Sequence, residues 1–196
     1  MKHDHSGFEI AVEYDLDVLG RRIYMTTEIE ERSADVIIKS LHYLDNKPGD
    51  IFMWINSPGG CVHDSFAIYD AMRSCRNDVI TIGTGQVCSA ATLLLVGGAQ
   101  RYATENCIFM AHEGEIHFDK EMGISRTTLE SQLKADAILS KRYVELMSKH
   151  TGKTVDWWVK RVRDSKKELW FNTEQMTTNG IIDGTWIGAN NDRRTD

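Results

Sequence analysis

The chain of 196 residues is poor in proline (two residues) and in cysteine (four), and it has fewer basic than acidic side chains, 23 against 29. With 41% hydrophobic and 27% charged residues, the composition excludes global disorder, collagen-like repeats and a coiled coil, and it fits a single globular domain with an appendage. The cysteines at 61, 75, 88 and 107 form no C-x-x-C pair, and the chain opens Met1-Lys2-His3-Asp4 without an apolar signal region. Both observations predict reduced thiols in a cytoplasmic setting. The longest weakly charged stretch, Val79 to Gln100, is interrupted by glycines 83, 85, 97 and 98 and is too broken for a membrane span. A net charge of −6 argues against binding nucleic acid through phosphate neutralisation.

What is present is a repeated alternation of strand and helix patterns. Residues 1–17 are polar and acidic without a period and read as an N-terminal arm. Arg22 to Thr26 alternates like a strand, and Ser33 is placed to cap a helix whose apolar stripe is Ala34, Ile37, Ile38, Leu41 and Leu44. Ile51 to Ile55 is a near-continuous apolar run, which predicts a strand buried on both faces. A helix through Phe66, Tyr69 and Met72 follows, then a strand from Val79 to Gly83, a short apolar helix from Ala90 to Val96 and a strand from Cys107 to Ala111. Residues 113–124 read as a loop. Ser125 to Lys149 reads as one long helix with two overlapping apolar stripes that packs on more than one surface, and Val155 to Arg163 as a further helix. Thr173 is expected to cap a short helix closed by Gly180, Ile181-Ile182 to form a last strand, and residues 188–196 a polar tail. The alternation predicts an α/β fold with a largely parallel sheet.

Three segments could carry chemistry. In Gly85-Gln86-Val87-Cys88-Ser89-Ala90-Ala91 a strand ends, small residues follow and an apolar helix begins, which lifts one side chain out of the turn beside free helical N–H groups. Ser89 there is either a nucleophile next to an anion-stabilising site or a plain helix cap. In Asn56-Ser57-Pro58-Gly59-Gly60, proline fixes one φ and two glycines open backbone conformations closed to other residues, so the turn can present a bare N–H to a ligand oxygen or serve only as a strand-to-helix turn. His112 follows a buried strand and becomes a candidate base only with a nucleophile in hydrogen-bond reach.

Together these segments resemble the Clp protease proteolytic subunit family, ClpP, serine peptidases of the crotonase-like superfamily. The resemblance rests on Ile55-Asn56-Ser57-Pro58-Gly59-Gly60, Gly85-Gln86-x-x-Ser89, Met110-Ala111-His112, Leu146-Met147-x-x-His150-Thr151-Gly152 and Gly180-Ile181-Ile182-Asp183, in that order, over about residues 20 to 187. The separation of 29 residues between Gly60 and Ser89 matches the family pattern. The resemblance implies a repeated β-β-α spiral over residues 18–187 with a long protruding helix at 125–150. It also implies a serine endopeptidase with Ser89 as nucleophile, His112 as general base, and Gly60 and Ala90 as backbone donors to the oxyanion. Such subunits form heptameric rings stacked as a tetradecamer, and an AAA+ unfoldase of the ClpX or ClpA type feeds polypeptides into the chamber. The resemblance implies no cofactor in this chain, ATP being used only by the unfoldase, and neither nucleic acid nor a membrane as partner.

The chain departs from the family pattern in four places. Ala90 stands where methionine is common, which a backbone donor tolerates. Counting back from Gly180 places Glu168 where the family has the triad aspartate, and Asp164 takes that place if residues 165–168 are an insertion. Glu113-Gly114 replaces Gln-Pro after the histidine, and the segment from His112 to the long helix is extended. Two other functions compete: a catalytically silent ring subunit, motivated by Glu168, and a crotonase-fold acyl-CoA enzyme using the same N–H pair to hold an enolate. Cys88 as nucleophile, His3-Asp4-His5 as a metal site, and the basic cluster Lys160, Arg161, Arg163, Lys166 and Lys167 as a nucleic-acid surface are discounted in favour of a buried apolar thiol, an incidental cluster in the arm and a solvated helix face. Trp157, Trp158 and Trp170 read as packing residues.

Overall fold

The computed structural model describes residues 15–114, 125–164 and 167–188. The arm at 1–14, the loop at 115–124 and the tail at 189–196 lie outside them, as do His3, His5, His117 and Lys166.

The described chain builds an eight-stranded sheet flanked by helices. The first elements are β1 (Leu16–Asp17), β2 (Arg22–Met25), α1 (Glu31–Asp45), β3 (Ile51–Ser57), α2 (Val62–Ser74) and β4 (Val79–Cys88). Then come α3 (Ala91–Val96), β5 (Gln100–Ala103), β6 (Ile108–Ala111), α4 (Arg126–Thr151) and α5 (Val155–Trp158), which widens into a π-helical turn over Val159–Asp164. The chain finishes with β7 (Leu169–Asn172), α6 (Thr173–Thr178) and β8 (Gly184–Thr185). The strand order is β1-β2-β3-β4-β5-β8, with β6 and β7 branching from β4. The pairs β2–β3, β3–β4, β4–β5, β4–β6 and β5–β8 are parallel, while β1–β2 and β6–β7 are antiparallel. This is the mixed α/β architecture, with a long helix, expected from the sequence.

The departures have local causes. Residues 16–17, expected within the arm, are a strand of the sheet. Ser33 is the third residue of α1 rather than its cap: Glu30 is the cap, and its backbone N–H donates to Ser33 Oγ (3.0 Å). Asn172, one residue before Thr173, caps α6 by accepting from the Gln175 N–H. The Thr173 hydroxyl instead donates to the Thr104 carbonyl (2.8 Å). The expected strand at Ile181-Ile182 is a buried turn, and pairing starts two residues later. Strand β3 is half-covered on its outer face, where Phe52 and Trp54 sit edge-on to Trp186 at centroid distances of 6.3 and 5.6 Å. Trp158 is fully buried and its indole N–H donates to the Thr151 hydroxyl, whereas Trp170 is 49% exposed. The π turn keeps Val162 buried, and the Arg161 guanidinium lies 4.0 Å from the centre of the Trp157 ring.

Helix α4 has two halves. Its C-terminal end carries the buried residues Val144, Leu146, Met147 and Thr151, and Gly152 closes it in the left-handed conformation at φ 70°. Its N-terminal part leaves Leu129, Leu133 and Ile138 exposed, so the two stripes do not both pack within one chain. Arg101 on β5 anchors the packed end: its guanidinium donates to the carbonyls of His150 (2.7 Å) and Gly180 (2.9 Å) and pairs with Asp183. Among the described residues, no helix is long and apolar enough to cross a membrane.

His150 lies at this anchor, its Nε2 at 2.7 Å from the Tyr69 hydroxyl. Burial, reinforced by the charges of Lys149, Arg73 and Arg101, pushes its pKa down from 6.5 to about 4. Between those values the unfolded chain binds more protons than the folded one, so stability is lost as the pH falls from 6.5 towards 4. Replacing His150 by Gln is expected to flatten the difference between urea midpoints measured at pH 7 and pH 5. An unchanged difference would exclude His150 as its source.

Candidate active site

The site is positioned by a fork in β4. Its first half pairs with β5 through Ile80 to Gly83, and its second half with β6 through Gln86 to Cys88. Gly85, at φ 57°, sits at the divergence beside the Asn56 amide, whose oxygen accepts the Gln86 N–H (3.2 Å). The strand is therefore longer than the expected Val79–Gly83, and its second half aims Ser89 towards the end of β6. Pairing of Cys88 with Met110 and a bond from the Ser89 N–H to the Met110 carbonyl (2.7 Å) bring the two strand ends together.

Ser89 is held at φ 54°, a left-handed conformation in which a non-glycine residue costs roughly 1–3 kcal/mol. It is not a helix cap. Its Oγ lies 2.7 Å from His112 Nε2, so two residues separated by 23 positions in the chain form one pair. They line a cleft of about 1080 Å³ together with Gly60 and Ala90. Leu93, Leu139, Val144, Val155, Val159 and Val162 supply apolar lining, and Glu113 and Gly114 continue it past the histidine.

The Gly59-Gly60 turn packs directly on the serine. A Cβ on Gly59 would sit 2.7 Å from Ser89 Cβ and 3.0 Å from the Ala90 nitrogen; one on Gly60 would sit 2.2 Å from the Ile29 carbonyl oxygen. Both glycines have positive φ, 98° and 140°. They are required for close approach of backbone to backbone. Ser57 holds the turn from below, donating to the Thr27 carbonyl (2.6 Å) and accepting the Gly59 N–H (3.1 Å). Ser65 on α2 donates to the Ala90 carbonyl (2.8 Å).

The two acids occupy different places. Strand β7 pairs antiparallel with β6, ending with Leu169 opposite Ala111, so Glu168 and His112 are the residues adjoining the last pair. Its carboxylate accepts the Trp170 indole N–H (3.0 Å). Asp164 ends the π turn and pairs with Arg163 (3.5 Å) on the exposed surface. Burial, and secondarily the Glu168 charge, push the Cys88 thiol up from its ordinary value, the opposite of what a thiolate nucleophile needs.

Sequence reasoning missed Thr92 and Tyr143. Thr92 Oγ1 donates to the Ser89 carbonyl (2.5 Å) and lies 2.7 Å from the Tyr143 hydroxyl. The only signal was a lone hydroxyl in the otherwise apolar run Ala91–Val96.

Comparison with known proteins gives a consistent result. The sequence model of the Clp protease family matches residues 13–187. The chain is 31% identical over 174 residues to ATP-dependent Clp protease proteolytic subunit 1 of Leifsonia xyli subsp. xyli, covering 87% of this chain and 85% of that one. It is 33% identical over 172 residues to ATP-dependent Clp protease proteolytic subunit 1 of Streptomyces coelicolor, covering 85% and 74%. The proteolytic subunit 3 of Streptomyces avermitilis is similar to the same degree, 33% over 172 residues. With the family model matched over residues 13–187 and relatives similar over most of their length, this chain belongs to the Clp protease family.

Proposed function

We propose that this chain is a serine endopeptidase, the proteolytic subunit of a cytoplasmic ATP-dependent Clp protease. The observation that carries the reading is the 2.7 Å contact between Ser89 Oγ and His112 Nε2 in a cleft roomy enough for an extended peptide. Ser89 Oγ attacks the scissile carbonyl while His112 takes its proton. The oxygen of the tetrahedral intermediate is held by the backbone N–H groups of Gly60 and Ala90, each such donor being worth on the order of 10²–10³ in rate. His112 then returns the proton to the departing amine, leaving the acyl chain on Ser89. A water molecule, deprotonated by the same imidazole, releases it. Glu168, which like His112 adjoins the last β6–β7 pair, orients and charge-stabilises the imidazolium. No cofactor takes part in these steps; ATP is used by the unfoldase that delivers the polypeptide.

Assembly fits the same reading. Leu129 and Leu133, one turn apart, leave an apolar stripe in solvent on α4, where a facing ring subunit would cover it. The proposed assembly is a pair of stacked heptameric rings capped by a hexameric AAA+ unfoldase.

A silent ring subunit is the second reading, favoured by the Glu168 carboxylate being engaged with the Trp170 indole. The purified protein assayed on short fluorogenic peptides separates the two. Ser89→Ala is expected to lower turnover by about 10⁶-fold and abolish fluorophosphonate labelling with the fold intact. Equal labelling of the variant would eliminate Ser89, and an inert wild type would leave the silent subunit. The acid is assigned in the same assay: Glu168→Gln should lower kcat by roughly 10³–10⁴-fold and Asp164→Asn by less than about twofold, the reverse order transferring the role to Asp164. Sedimentation should give a fourteen-subunit mass, with chains of 22.3 kDa, and Leu133→Glu should reduce it to single rings or smaller. A monomeric wild type would refute the ring.

A further inference from the structure

Ser89 and Ala90 share one peptide unit: the Ser89 carbonyl is one end of the amide whose other end is the Ala90 N–H. Whatever grips that carbonyl fixes the plane of the amide and hence the direction of its N–H. Two bonds grip it, both from Thr92: the backbone N–H (3.0 Å) and the side-chain hydroxyl (2.5 Å). A threonine hydroxyl has a single proton, and here it is given to the Ser89 carbonyl. The 2.7 Å contact between Thr92 Oγ1 and the Tyr143 hydroxyl therefore has tyrosine as donor. Burial supports this direction, pushing the Tyr143 pKa up to about 12 and keeping the phenol protonated. The resulting order of donation runs Tyr143 to Thr92 to the Ser89 carbonyl. Each bond in such a chain strengthens the next, and a carbonyl that accepts more strongly makes the N–H of the same amide a better donor.

Resting on the reading of Ser89 as nucleophile and Ala90 N–H as oxyanion donor, we propose that Thr92 and Tyr143 are positioning residues that aim and polarise the Ala90 N–H. Neither touches the reacting atoms. They act on the donor, whose demand is greatest when negative charge develops on the substrate oxygen, so their loss appears in kcat rather than KM. Tyr143 comes from the packed half of α4, Thr92 from α3 and the serine from the strained turn between β4 and α3. The device therefore ties the long helix to the nucleophile turn.

The test uses the full chain in its assembled form and two readouts. On a short fluorogenic peptide, Thr92→Val and Tyr143→Phe are expected to lower kcat roughly tenfold with KM within about twofold, since a misaimed donor loses part of what a deleted one would. Thr92→Ser should recover most of the loss. The double variant should be no worse than Thr92→Val alone, because tyrosine acts through threonine. Independently of activity, ¹⁵N-alanine labelling should show the Ala90 amide proton moving upfield in both single variants, with the resonance assigned by its loss in Ala90→Gly. An unmoved Ala90 resonance overturns the proposal, as does a variant that melts earlier while kcat is retained. A wild type that resists fluorophosphonate labelling removes the peptidase reading, and the Ala90 resonance still decides whether the pair orients the amide.

Discussion

The site depends on one strand pairing with two partners. A parallel sheet orders its strands side by side, and a strand of ordinary length would have ended at Gly83, leaving the serine turn beside β5. Because β4 continues through Gly85 to Cys88, its second half leaves β5 and takes β6 as its neighbour. The Ser89 N–H then closes on the Met110 carbonyl, two residues before His112. The contact between hydroxyl and imidazole thus follows from main-chain register, and long-range side-chain packing has only to hold that register. The core around it is dense: Val87, Ala91, Leu94, Phe109 and Ala111 are all fully excluded from solvent. Slippage of β6 by one residue would turn Phe109 outward, a cost of several kcal/mol in lost burial. The Ser89–His112 distance is protected by the same term that stabilises the fold.

A second constraint acts on the serine itself. Its left-handed backbone is unfavourable in isolation and persists because its surroundings determine it from several sides. Met110 takes its N–H, Thr92 takes its carbonyl through two bonds, and Gly59 lies against its Cβ with no room for a methyl group. On the proposed reading of Ser89 as nucleophile, this strain pre-organises the reacting group: Oγ lies at the imidazole before substrate arrives, so no rearrangement is charged against the reaction.

Much of this was legible in the sequence, and the illegible parts share a cause. The apolar stripe of α1, the long helix and the strand at residues 51–55 follow from periodicity, because burial on one face leaves a repeat that a window of residues can detect. Gly59 and Gly60 were visible as a turn for close approach, since no other residue reaches such φ values cheaply. Strands β5 and β7 were invisible: Gln100–Ala103 and Leu169–Asn172 carry four residues each with no clean alternation, and pairing partners far along the chain impose their strand character. The caps slipped by a few residues at Ser33 and by one at Thr173, because neighbouring residues in both places could also bond the first turn. The Thr92–Tyr143 contact spans 51 positions, and only the packing of α4 on α3 brings it about.

The proposed triad acid illustrates the difference between register and reach. Strand pairing ends with Ala111 opposite Leu169, and His112 and Glu168 are the next residue on each strand. The Glu168 carboxylate meets the Trp170 indole. That bond lies at an exposed position, Trp170 being 49% accessible, where water competes and the net contribution is roughly 1 kcal/mol. A carboxylate facing an imidazolium forms a charge-assisted bond about twice as strong as a neutral one. In the proposed mechanism the balance between the two partners therefore tips towards His112 as the imidazole takes the serine proton.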